Sequence, residues 1–162
     1  MRDYIFHGKR VDNGEWVEGY YVYDESGQTT EEPTAYIIHL NIHPCGWSLI
    51  PYKVIPETVG EFTGIYDINQ RKIFENDIVR TQPFTDRPYS SRAKSKQHIG
   101  VVEYCMPELR GDHFKQHVYD AKWRVNVKDY GKYVCSNWSD FFNCEVIGTV
   151  YENADLLDDH NH

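Results

Sequence analysis

TGIYDINQRKIFENDIVR, residues 63–80, decides how this chain is read. Three brief apolar runs (Gly64-Ile65-Tyr66, Lys72-Ile73-Phe74, Ile78-Val79-Arg80) are separated by Asp67-Ile68-Asn69-Gln70-Arg71 and by Glu75-Asn76-Asp77. Asp and Asn suit turns because their short side chains bond nearby backbone and tolerate left-handed angles. Two reversals within so few residues leave room for short strands and none for helices. The acids then have two readings. Convergence of Asp67, Glu75 and Asp77 would make a carboxylate cluster for metal or acid–base work. Their turn spacing instead favours architecture, with Asp67 and Asp77 accepting backbone N–H groups and Glu75 in solvent.

Outward from this stretch the punctuation continues. YIFHGKRV and EWVEGYYVY flank Asp12-Asn13-Gly14, whose Asn-Gly pair predicts a tight two-residue hairpin turn. In the second strand Trp16, Glu18, Tyr20 and Val22 share one face, and Val17, Gly19, Tyr21 and Tyr23 the other. Apolar bulk on both predicts that both are at least partly covered. After a polar acidic loop at 24–34, AYIIHLNI reads as a strand, Pro44-Cys45-Gly46 as a turn and WSLIPYKVI as an extended segment. Pro51 places that segment at a sheet edge or breaks it there, because proline cannot donate a ladder hydrogen bond. Downstream, IGVVEYC, HFKQHVYD, AKWRVNV, KYVC and EVIGTVY carry strand signals. SNWSDFF suggests a helical turn, and Asn153 is placed to cap a closing turn at ADLL.

The 162 residues bear a net charge of −8, and 40% are hydrophobic, including 13 Tyr, 7 Phe and 4 Trp. That aromatic load fits pleated sheets and excludes a disordered chain. The negative balance disfavours non-specific duplex binding unless positive charge is concentrated locally. No apolar stretch is long enough to span a bilayer, and MRDYIFHGKR lacks the apolar core of a secretory leader. A cytoplasmic location with reduced cysteines is therefore expected. Cys45, Cys105, Cys135 and Cys144 form no CxxC pair, and Cys45, Cys105 and Cys144 are read as small buried hydrophobes.

Residues 81–98, TQPFTDRPYSSRAKSKQH, break the pattern as a long loop, basic within an acidic chain. Arg87, Arg92, Lys94 and Lys96, interleaved with Phe84 and Tyr89, are the candidate nucleic-acid contacts: cations for the backbone and rings for unpaired bases. The plainer reading is a solvated loop that balances the charge of the body. His39, His43 and Cys45, or His113 and His117, could suggest zinc, but strand geometry holds those histidines apart and no tetrahedral set is complete. Neither a nucleophile elbow nor a phosphate-binding glycine loop occurs, so no enzyme, metal or cofactor is expected.

Four blocks carry a resemblance: FHGKRVDNGEWVEGYYV (6–22), ETVGEFTGIYDINQRKIFENDIVR (57–80), IGVVEY (99–104) and CEVIGTVYENADLL (144–157). In this order they resemble the YopX family of phage and prophage proteins. The chain departs in having Asn69-Gln70 where many members have Asn-Gly, and Asn76 where they have Gly. The resemblance implies a predominantly β protein and supplies no catalytic residue or cofactor.

The resulting expectation is a mainly β chain. A small SH3-like barrel would form the C-terminal two-thirds (59–162), with an N-terminal hairpin and strand subdomain (1–58) packed on it. The predicted core is Phe62, Ile65, Phe74, Ile78, Val79, Val101, Val102, Tyr104, Trp123, Val125, Phe141, Val146, Ile147 and Val150. The expected function is that of a non-catalytic accessory protein acting by protein–protein contact, through self-association or with another phage or host protein. A single-strand-binding module using the 81–98 loop is the alternative.

Overall fold

The computed structural model describes residues 3–25, 33–82, 97–105, 122–126 and 143–158. Its strands are β1 Phe6–Lys9, β2 Trp16–Asp24, β3 Thr34–His43, β4 Gly46–Val54, β5 Gly60–Tyr66, β6 Lys72–Phe74, β7 Asp77–Thr81, β8 Ile99–Cys105, β9 Lys122–Asn126 and β10 Cys144–Thr149. Short 3-10 turns occupy Pro56–Thr58 and Ala154–Leu157. The chain divides into two compact units, Met1–Gly64 and Ile65–His162, with β5 running through the division. One sheet has the order β4-β3-β2-β1-β5-β6 and the other β10-β7-β8-β9. The mainly β expectation is met.

In the first unit β1 and β2 pair antiparallel, Phe6 opposite Gly19 and Lys9 opposite Trp16. The turn between them is longer than Asn13-Gly14 predicts. Arg10 donates its N–H to Glu15 O at 2.9 Å and Gly14 donates to Arg10 O at 3.1 Å, enclosing a four-residue loop. Gly14 closes it at φ 72°, a left-handed position suited to glycine. Gly19 is required by crowding: a Cβ there would stand 2.3 Å from Ile38 O.

Strand alternation gives this unit its core. Ala35 lies opposite Val54 and Ile37 opposite Tyr52 across β3–β4, while Tyr21 faces Ile37 across β2–β3. Ala35, Ile37 and Val54 are buried, with Phe6, Val17, Tyr21 and Val59 packed on them. β4 forms a sheet edge, as Pro51 requires. Only its end turns back, with Val11 N–H bonding Lys53 O at 3.0 Å and Ile55 N–H bonding Lys9 O at 2.9 Å.

The second unit gathers Ile65, Ile73, Val79, Val102, Trp123, Val125, Cys144 and Val146 into one cluster. Phe62, Phe74 and Ile78 are buried as expected. Val101, Ile147 and Val150 are only partly buried, and Phe141 lies outside the described residues. Tyr104 corrects its expected place in the core. It is 41% exposed, with its ring against Trp123, edge to face at 5.0 Å. Ile73 is fully buried but was absent from the predicted set, and Cys144 is buried as expected. Cys45, predicted to be buried, is exposed at the β3–β4 turn. The strand order β10-β7-β8-β9 is linear, so the described strands do not close a barrel. Asn153 does not cap the last 3-10 turn with its side chain. Its Oδ1 instead accepts the Thr149 N–H at 3.3 Å.

Candidate interaction surface

The acids of 63–80 sit at corners. Asp67 is buried, and its Oδ1 accepts the N–H groups of Asn69 and Arg71, both at 2.8 Å. Its Oδ2 accepts Val146 N–H at 3.0 Å, tying the corner to β10. Asp77 is also buried, and its Oδ2 accepts Phe74 N–H at 2.8 Å to close the second corner. Asp77 Oδ1 is buried without a hydrogen-bond partner. Burial therefore pushes the Asp77 pKa up from 3.8 to about 7. The Asp67 charge adds to that rise, while the Phe74 N–H and Arg71 oppose it. Gln70 and Asn76 occupy left-handed positions at φ 63° and 67°. They are the positions where the sequence departs from glycine. In the first corner Gln70, not Asn69, takes the left-handed angle.

Glu75, expected in solvent, is half-buried at the second corner. Asp67 is committed to three backbone donors, and Asp77 is sealed from solvent. Among the described residues no group of three or more His, Cys, Asp or Glu could hold a metal ion. His39 and His43 lie on β3, and His39 Nδ1 stands 3.4 Å from Glu18 O. His113, His117 and Cys135 fall outside the described residues, as do Phe84, Arg87, Tyr89, Arg92, Lys94 and Lys96. The two ends of the basic 81–98 segment are described. Thr81 N–H bonds His98 O at 2.8 Å, and His98 N–H bonds Thr81 Oγ1 at 3.1 Å, closing the β7–β8 pair.

The opposite face of the first unit is the surface that sequence reading missed. Cross-strand register puts Tyr20, Val22, Tyr36, Ile38, Leu40 and Ile42 on one side with Trp47, Leu49 and Pro51, and Glu18 and Lys53 border them on that same side. Both faces of β2 were expected to be at least partly covered, and this one is open: Tyr20 is 58% exposed, Ile42 76% and Trp47 69%. The β2–β3 ladder ends at Tyr20 opposite Ile38, so among the described residues 39–50 of β3 and β4 pair only with each other. They make a two-stranded arm, apolar on one side, with His39, Asn41, His43, Ser48 and Ile50 on the other. A signal for this arm was present in the sequence. Residues 33–52 contain no Asp, Glu, Lys or Arg, although 26% of the chain is charged.

A family model described as YopX protein matches residues 6–158, nearly the whole chain. The chain belongs to the YopX family. The match runs from β1 of this YopX protein through its last 3-10 turn, taking in both corners and the arm. No curated protein matches it. No helix among the described residues is long and apolar enough to cross a membrane.

Proposed function

We propose that this YopX chain is a non-catalytic accessory protein of phage or prophage origin, acting in the host cytoplasm by contact with another protein. The open face of β2, β3 and β4 carries this reading. Large apolar side chains scattered singly over a surface need no explanation, whereas a contiguous set rimmed by polar groups marks an interaction site. An aromatic-rich centre with charge confined to its border, here Glu18 and Lys53, is also the composition that protein interfaces favour. The second unit is read as a supporting framework of SH3-barrel type. Its short antiparallel strands and its two carboxylate-closed corners support that.

Affinity capture from induced host cells, with and without nuclease, tests the proposal. A partner retained after nuclease and lost with Leu49→Glu supports protein contact through this face. A partner lost on nuclease treatment supports the second reading, a single-strand-binding module using the 81–98 loop. The Thr81–His98 bonds support that second reading, because they hold the two ends of the basic segment together. Its own test is retention of a single-stranded oligonucleotide at low salt, weakened by Arg92→Ala and Lys94→Ala.

A further inference from the structure

We infer that the occupant of the β2–β4 face is a second copy of this chain, packed arm against arm about a twofold axis. This rests on the reading that the face makes protein contacts and adds the identity of the partner.

Charge selects it. Two molecules each bearing −8 repel one another wherever acidic surface meets acidic surface. The 33–52 segment, with no formal charge, is where two copies can meet without bringing carboxylates together.

Area agrees. Tyr20, Val22, Leu40, Ile42, Trp47 and Leu49 are between 42% and 76% exposed. With aromatic side chains carrying ~150–250 Å² each and aliphatic ones less, on the order of 700 Å² of apolar surface stands open. That exceeds the roughly 300–600 Å² of the largest patch on a typical monomer. It approaches the roughly 800 Å² that each partner contributes to a standard interface.

The arm itself needs cover. A two-stranded ribbon in water is marginal unless a third strand or a packed face supports it. The three apolar pairs Ile38–Pro51, Leu40–Leu49 and Ile42–Trp47 lie on one face, so a twofold brings identical stripes together as an isologous contact. Two sheets packed this way lie about 10 Å apart, with their side chains interdigitated.

Sedimentation equilibrium of the full chain tests this inference. The wild type is expected to dimerise in the micromolar range. Added salt should tighten the dimer, because it screens the −8 bodies and breaks no interfacial ion pair. Ile42→Glu and Leu49→Glu should each weaken association by at least about tenfold. Val11→Glu, at an exposed position by the far end of β4, should leave association unchanged. Near-ultraviolet circular dichroism checks the fold. Should a charged variant lose it, Trp47→Ser removes apolar area without adding charge and should still weaken the dimer.

A monomer at all concentrations up to about 100 µM overturns the inference. So does a dimer indifferent to the arm substitutions, or a monomer that binds neutral phosphatidylcholine vesicles through the arm. A monomer that still captures a different protein through Leu49 sinks only the second-copy inference. Arm variants that change neither association nor capture sink the function proposed for this face as well.

Discussion

Asp77 gives the molecule a defined pH response. Its pKa is raised to about 7 in the folded chain, against an ordinary value of 3.8. An acid that holds its proton more tightly when folded lends stability at low pH, and that stability is lost as pH rises from about 4 through 7. At about 1.4 kcal/mol per unit the effect has an upper bound of about 4 kcal/mol. Asp77→Asn keeps an oxygen for Phe74 N–H and cannot ionise. In urea titrations at pH 4.5, 6 and 7.5 it should flatten the loss and exceed the wild type at the highest pH. An unchanged slope would show that Asp77 is not the group responsible. Asp67 differs because three N–H donors converge on it. Asp67→Ala should cost about 2–4 kcal/mol in the same titrations, since the orphaned buried Val146 N–H costs about 1–3 kcal/mol and the part-buried Asn69 and Arg71 N–H groups less. Asp67→Asn, which retains one acceptor oxygen, should cost less. Gln70 holds φ 63° without being glycine. A left-handed side-chain residue carries about 1–2 kcal/mol of strain, so Gln70→Gly should raise stability modestly, by under about 1 kcal/mol.

At the scale of elements, β10 depends on a glycine in its bulge. Its register against β7 shifts between Val146 and Gly148. A Cβ on Gly148 would lie 2.4 Å from Asn153 Oδ1 and 2.7 Å from Asn153 Cβ. Gly148→Ala therefore has to move the root of the Asn153 side chain as well as its tip, and the Asn153 bond to Thr149 N–H goes with it. A loss of about 2–3 kcal/mol is expected from thermal melting, within the range for overpacked interiors. The corners were legible as corners because Asp and Asn at short spacing have few other uses. The Asp67 bond to Val146 was not, because it joins residues 79 apart. The N-terminal loop shows a further limit. Asn13-Gly14 signalled a reversal correctly, but the Arg10–Glu15 bond set its length at four residues.

Over the whole molecule, the testable consequence is solubility. If the arm pairs with a second copy, Ile42→Glu should give a soluble monomer. If the arm stands uncovered, the wild type should aggregate in a concentration-dependent way that Leu49→Glu relieves; light scattering separates the two outcomes. The sequence alone determined the β class, the strand segments among the described residues and the corners, and it narrowed β4 to an edge or a broken strand, because alternation, turn chemistry and proline act within a few residues. It also held the charge gap at 33–52 in plain view. Only the tertiary structure decided which apolar face of β2 is buried. Alternation makes both faces of that strand greasy, and which one is covered depends on what the chain brings against it. In this chain Ala35, Ile37 and Val54 close one side. Tyr20, Ile42 and Trp47 stay exposed on the other.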